Sequence, residues 1–504
     1  KKIVLATMIM MPPLWLLARA LFIFSIGTVA FRAGRKEGVG LRQKLPSPTG
    51  LLASSCRSWD ELSLEIGIQE ETKEYVANNM KGPLSKEDCE LVLYRDRHGW
   101  CPYSERVWLG LLHKRLDFRE VLVDNLGSKP SWYYQEAPSG QTPALRFPDG
   151  RTKSESLDLL YELDNYFPNA PSLMPKEELD PELYKSAREI IQGFRSYMPK
   201  NTRPSSRGAF LFCGGGGPVF RKDLEGALDG VEALLGRHPG GPFFLGAFGF
   251  SAADCAFAPF LERWAVQLPL LHKDLRPRGG NWPRLARWYG AMDQEVPGYL
   301  SRVRGDTHTW AYVLADAAGG GLADQIWADE IGALGVYGWE DADLFSILDL
   351  GNRPGGTAGK TYLELWEGYR SSAAHRIAAT PGLEAARRLV ANHKLVARDA
   401  ARHAGGLSEA TAEVAVQLVA DSLVRADSSS NKEPKTFDME RLAADLAART
   451  SEMLPDPEQK AEAARFPGYF AGRVCTPRDM GLLPSKALRA HLALLGQVLP
   501  GSAS

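Results

Sequence analysis

The chain has 504 residues, 44% of them hydrophobic, with 60 Lys and Arg against 61 Asp and Glu, for a formal net charge of -1 and a pI near 6.8. That length gives room for about three domains, each able to bury a core. The balanced charge supplies no global pull toward nucleic acid or anionic lipid and argues against polyanion binding. The six cysteines, Cys56, Cys89, Cys101, Cys213, Cys255 and Cys475, stand singly, without a CxxC pair or a histidine cluster at ligand spacing. Neither a disulfide framework nor a zinc site is indicated, and a reducing compartment fits best.

From Leu14 to Phe31 the sequence is apolar except for Arg19, Ser25, Gly27 and Thr28. At about 1.5 Å per residue this run is just long enough to cross a hydrocarbon core of about 30 Å, and Arg19 lies near enough to one end to snorkel. A single transmembrane helix over 1–31 is the expectation, with a targeting presequence as the alternative. Arg32, Arg35, Lys36, Arg42 and Lys44 follow, against Glu37 alone. The positive-inside tendency therefore puts the bulk of the chain on the cytosolic, stromal or matrix side. Residues 32–88 read as a linker carrying one or two short helices.

At 91–95 "LVLYR" is a buried-strand run, Ser104–Leu116 is helical, and 118–123 "FREVLV" alternates as a strand. A short helix fits 129–135. "TPALRFPDGRTK" has the shape of two short strands joined at Asp149-Gly150, and "SESLDLLYELDNYF" is an amphipathic helix. This order, βαβ followed by αββα, is that of a thioredoxin-like α/β domain, placed over 89–168. An all-helical domain follows over 180–303, in which Ser251 and Asp254 have the spacing of an N-capping box. The "CGGGGP" run at 213–218 lacks the Lys-Ser/Thr of a phosphate loop, so nucleotide binding is rejected. Residues 304–504 form a helix-rich, Ala-rich extension interrupted by the polar "DSSSNKEPK".

The chemistry centres on "HGWCPYSER". A cysteine is a nucleophile only as its thiolate, and the unpaired N–H groups and dipole of a helix N-terminus favour that anion. Cys101 sits at such a position, with Pro102 where no N–H is required. The alternative is an inert, buried cysteine, but the polar flanks are not those of a sealed core. Position 104 is Ser, so a local dithiol cycle is excluded and a small-molecule thiol must resolve any mixed disulfide.

Four stretches, "WCPYSERVWL", "NLGSKPSWYYQEAPSGQTPAL", "SESLDLLYELDNYFP" and "FFLGAFGFSAADCAFAPFLERW", make residues 91 to about 303 resemble a glutathione transferase of the cysteine-containing, omega-like kind. The resemblance implies an α/β thioredoxin-like domain followed by an all-α transferase C-terminal domain, with glutathione as co-substrate and no metal. It implies Cys101 as the thiolate facing the glutathione sulfur, with Tyr103 beside it and Lys129 reaching a glutathione carboxylate. Thr142, before Pro143, would pair backbone to backbone with the cysteinyl portion, and Glu155 with Ser156 would hold the γ-glutamyl end. The residues are compatible with these roles: Pro143 is where this fold places a cis-proline, and Glu155 and Ser156 open a helix.

"RVRGDTHTWAYVLA" and "GRVCTPRDMGLLPSKALRAHL" resemble the C-terminal extension of plant and algal transferase-like proteins, which are often plastid-directed. Pro477 to Asp479 read simply as a helix start. The expected function is glutathione-dependent thiol transfer or reduction, such as dehydroascorbate reduction or deglutathionylation, by a protein anchored in an organellar membrane. The thylakoid is favoured, with the mitochondrial inner membrane as alternative. The rival is a non-catalytic structural subunit of a membrane complex such as a photosystem supercomplex.

Overall fold

The computed structural model describes residues 55–67, 75–85, 90–125, 127–199, 220–306, 309–310, 313, 344–354, 359–373, 377–430 and 438–500. The expected span Leu14–Phe31, Cys89, the "CGGGGP" run with Cys213, and His308 and His375 lie outside them. Among the described residues no helix is long and apolar enough to cross a membrane.

The sheet is built from strands too short to be stable alone. β1 (Tyr75–Val76), β2 (Val92–Asp96), β3 (Arg119–Val123), β4 (Ala144–Arg146) and β5 (Thr152–Ser154) assemble in the order β1-β3-β2-β4-β5. β3 pairs parallel with both β1 and β2, β4 runs antiparallel to β2, and β5 antiparallel to β4, with Tyr94 opposite both Val121 and Ala144. Side chains alternate across the pleat. Val92 and Tyr94 face Val121, Val123 and α3 (Ser131–Glu136) through Trp132 and Tyr133, while Leu91 and Leu93 join the core that holds α2 (Pro102–His113) and α4 (Ser156–Tyr166). Both faces are covered, which is why β2 reads as a continuous apolar run rather than as an alternating one.

In the segment read as a linker with short helices, 32–88, one such helix is present and an unexpected strand joins the sheet. β1 supplies the outer strand of the sheet, and α1 (Trp59–Ile66) is closed by a capping box between Ser58 and Glu61. Leu62 of α1 is fully buried and Trp59 stacks on His393 at 4.1 Å. A two-residue strand has no period to read, and the anchor of α1 lies more than 300 positions away.

The helical half contains α5 (Pro181–Gln192), α6 (Arg221–Leu235), α7 (Ala252–Leu271), α8 (Pro283–Glu295) and α9 (Pro297–Arg302). Ser251 and Asp254 form the expected cap, the Asp254 carboxylate accepting from the Ser251 N–H at 2.9 Å and hydroxyl at 2.8 Å. Burial pushes Asp254 up to about 6.

The extension contributes α10 (Tyr362–Ala373), α11 (Pro381–His403), α12 (Glu409–Ser430), α13 (Met439–Met453), α14 (Pro457–Ala463), α15 (Arg465–Arg473) and α16 (Leu482–Val498). Ala385, Ala386, Ala397 and Ala400 of α11 and Ala412 and Ala415 of α12 are buried, and such small residues let the two helix backbones approach closely. α16 packs against α11, α12, α13 and α15 and also touches α9, so the extension shares one apolar core with the helical half. Pro477 to Asp479 do not begin a helix. They form a turn with a cis Thr476–Pro477 bond, and α16 starts at Leu482.

Candidate active site

β2 delivers the chain to the site and Asp96 shapes the turn that leaves it. The Asp96 carboxylate accepts from the Trp100 N–H at 3.0 Å, and the Asp96 carbonyl accepts from the Gly99 N–H at 3.3 Å. Gly99 has φ +72, a conformation that side chains with a Cβ rarely adopt. Cys101 then caps α2 in an extended conformation, its carbonyl accepting from Glu105 N–H, with Pro102 in the first turn. The Cys101 Sγ lies 3.9 Å from the carbonyl oxygen of Thr142, which precedes the cis bond to Pro143.

This is the arrangement a peptide-like thiol needs. Thr142 is buried, Asn125 donates to its hydroxyl at 2.6 Å, and its own N–H meets no backbone acceptor among the described residues. A ligand backbone laid along this edge finds an N–H and a carbonyl beside the thiol. At the other end of the edge, Glu155 immediately precedes α4 with φ +70, a strained value for a residue with a side chain, while Ser156 is buried at the helix start. Strain of this kind persists only where the surrounding structure enforces it.

Arg106, one and a half turns into α2, ties these parts together from beneath. It is 2% exposed, donates to the Ala256 carbonyl at 2.9 Å and to the Ser156 hydroxyl at 3.3 Å, and lies over the rings of Tyr103, Phe194 and Phe260. Cys101, Thr142 and Pro143 are thus brought together directly, and Tyr103 is joined to Ser156 through Arg106. Lys129 is partly buried in the β3–α3 loop, and no described contact joins it to the others.

The electrostatics correct one expectation. The Cys101 thiol is held above its ordinary value, first by burial and then by the Asp96 carboxylate. The Ser104 N–H and hydroxyl and the Tyr103 N–H pull the other way, as the helix-start argument requires, and do not prevail. The other described thiols are also raised: Cys56 and Cys475 are each pushed up to about 12, chiefly by burial, and Cys255 is raised by burial. All four are free. Among the described residues no group of His, Cys, Asp and Glu could hold a metal.

The glutathione S-transferase N-terminal domain model matches residues 100–165, and the glutathione S-transferase C-terminal domain model matches 190–291. Glutathione S-transferase L1 of Arabidopsis thaliana is 33% identical over 198 residues, which cover 39% of this chain and 76% of that protein. The chain belongs to the glutathione S-transferase family. Its co-substrate is therefore glutathione. Mouse glutathione S-transferase omega-1 is 26% identical over 215 residues, 42% of this chain and 80% of that protein. A rice transferase solved in complex with glutathione is 25% identical, with a TM-score of 0.35, covering 49% of this chain and 96% of that one.

Three features of this transferase were not read from its sequence. Asp96 looked like a turn residue, yet it is 5% exposed with one carboxylate oxygen unpartnered. Arg106 and Arg263, both on helices, are buried. Arg263, on α7, pairs with Glu105 at 2.9 Å and donates to the Trp100 carbonyl at 2.7 Å. The available signal was positional: each arginine sits inside an otherwise apolar helical stripe, where a charge needs a partner.

Proposed function

We propose that this protein is an omega-like, cysteine-type glutathione transferase that carries out glutathione-dependent thiol transfer or reduction. The observation that carries the reading is the Cys101 thiol at the start of α2, 3.9 Å from the carbonyl of Thr142, with no second cysteine at position 104. The Cys101 sulfur attacks the glutathione sulfur of a glutathionylated thiol, and the substrate leaves as a thiolate that takes a proton. A second glutathione then attacks the mixed disulfide, so oxidised glutathione departs and the Cys101 thiolate is restored. Two electrons pass to the substrate for each oxidised glutathione formed. Thr142 pairs with the cysteinyl backbone, Glu155 and Ser156 hold the γ-glutamyl end, Lys129 takes a glycyl carboxylate, and Tyr103 lines the thiol.

The test is direct. Incubation with oxidised glutathione adds one glutathione, located at Cys101 by peptide mass spectrometry, and Cys101→Ser abolishes both the adduct and turnover. Adduct at another cysteine with unchanged turnover in Cys101→Ser sinks the reading. The second reading, a transferase fold kept as a packing module, draws support from the raised Cys101 thiol and from the core shared with the extension. Membrane anchoring in an organelle, thylakoid or otherwise, rests on Leu14–Phe31 and the basic residues after it. The full chain then resists alkaline carbonate extraction, and deletion of residues 1–44 releases it; carbonate release of the full chain removes the anchor.

A further inference from the structure

The loop that presents Cys101 is held in part from outside the two transferase domains. Trp100 has three polar groups, each engaged by a different part of the chain: its N–H by Asp96 at 3.0 Å, its carbonyl by Arg263 at 2.7 Å, and its indole N–H by the carbonyl of Thr476 at 3.1 Å. Thr476 lies 376 positions from Trp100, in the extension. Next to it, a Cβ on Gly99 would come within 3.1 Å of the Pro477 ring, and the Arg478 guanidinium stands 5.8 Å from the Trp100 ring. Thr476 is itself held: its N–H donates to the Thr309 hydroxyl at 2.7 Å, and the two threonine hydroxyls meet at 3.1 Å. Thr309 N–H in turn donates to Asp306 at 2.8 Å, and Asp306, fully buried, is paired with Arg489 of α16, which also donates to the Val474 carbonyl at 2.6 Å.

We infer that the turn at 475–479, fixed by Thr309 and the Asp306–Arg489 pair, is a positioning element of the active site that holds Trp100, and through it Cys101, in register with Thr142. The inference rests on Cys101 being the reacting residue. A cap residue in extended conformation is set by the residue before it, and the three contacts given above hold Trp100 from Asp96, Arg263 and Thr476. Polar groups this buried are costly to leave unpaired, so the chain of contacts has one satisfied arrangement rather than a continuum. A nucleophile displaced by a fraction of an ångström loses rate without losing ligand binding, because the binding groups on Thr142, Glu155 and Ser156 stay where they were. The extension, then, is part of the catalytic apparatus and not an appended module.

The experiment uses the full chain. Thr309→Val removes the hydroxyl that accepts from Thr476, Thr309→Ser keeps it, and Trp100→Phe removes the indole donor from the other side. Hydrogen exchange of the 96–101 peptide and the kinetics of glutathione-dependent reduction are measured for each, with Cys101→Ser alongside. The expected result is exchange about tenfold faster in Thr309→Val and Trp100→Phe, kcat about tenfold lower with KM for glutathione within twofold, near wild-type behaviour in Thr309→Ser, and a double variant no worse than either single. Unchanged exchange in both Thr309→Val and Trp100→Phe overturns the clamp, whatever the kinetics. Faster exchange with unchanged kcat, in a protein that Cys101→Ser inactivates, overturns the positioning role and leaves the proposed function standing. Full activity in Cys101→Ser overturns the function instead, and with it the catalytic meaning of the clamp. Should Thr309→Val not fold, Trp100→Phe carries the same readouts.

Discussion

The loop that carries Cys101 meets two walls of different origin. The sheet-domain wall, Thr142 to Ser156, comes from within the same domain and carries a cis-proline, a strained Glu155 and the start of a helix, with Thr142 and Ser156 themselves buried. The extension-side wall, Thr476 to Arg478, comes from the far end of the chain and spends its groups on the protein itself, with Thr476 satisfied by Trp100 and Thr309. The first wall carries the groups proposed to meet glutathione; the second is engaged with the loop that carries Cys101. A difference of this kind predicts that damage to the first shows up in binding and damage to the second in rate or stability.

The harshest way to break the comparison is at the charge pair that braces the extension side. Glu105 and Arg263 are essentially unexposed, and burial pushes Glu105 up to about 8 against the pull of Arg263. Arg263→Met leaves the Glu105 carboxylate buried without its cation, a change that typically costs about 3–5 kcal/mol. The expected outcome is a large fall in the thermal midpoint. Glu105→Gln combined with Arg263→Met recovers part of it, because the buried acid is gone while the Trp100 carbonyl still lacks its donor. A thermal midpoint unchanged in Arg263→Met would show that the pair braces nothing.

The backbone placement of Cys101, Pro143 and Ser156 was expected before the structure and the contact from the extension was not, for a physical reason. Cys101 and Ser156 at helix starts are local signals, whereas the cis-proline at Thr142-Pro143 and the ligand roles of all these residues were implied by the resemblance to the transferases and not by spacing. The Ser251–Asp254 cap was a local signal as well. The contact from Thr476 uses a main-chain carbonyl, which any residue type supplies, so "TPRDM" carries no chemical signature and its neighbour Trp100 is set by tertiary packing alone. The short strand β1 was missed in the same way, and the helix expected in this segment was placed without its partner, β3 and α11 being the elements they pack on. The sign of the Cys101 shift was the third failure. The helix-start effect is local and was read correctly, but burial and the Asp96 charge are properties of the fold and outweigh it.

A milder perturbation sharpens the binding half of the comparison. Glu155 is exposed and keeps its φ of +70 at the entrance to α4, where a ligand ammonium would meet it. Glu155→Ala removes one charge-assisted contact, worth about 1.5–3 kcal/mol. Glutathione affinity by calorimetry falls at least tenfold, while the thermal midpoint of the ligand-free protein changes little, since alanine at this φ keeps the same backbone strain. Equal affinity for wild type and variant would take Glu155 out of the site.

The smallest effect tests the residue shared by both walls. Asp96 accepts from the Trp100 N–H and also raises the Cys101 thiol, so the two roles separate in Asp96→Asn, which keeps an acceptor oxygen and removes the charge. A thiol held above its ordinary value is mostly protonated at neutral pH, so alkylation of Cys101 by iodoacetamide is slow at pH 7 and accelerates as pH climbs toward and past the ordinary thiol range. Taking away the nearby negative charge makes the thiolate easier to form, and the alkylation midpoint moves to lower pH. At pH 7 the variant therefore reacts severalfold faster than wild type, while burial, the larger cause, still keeps its midpoint from falling to that of an activated thiol. Cys56 and Cys475, both pushed up to about 12, remain slower than Cys101 in either protein. An alkylation midpoint that does not move, or that moves upward, would mean that Asp96 acts on Cys101 only through the geometry of Trp100, and the two walls would then meet at a purely structural residue.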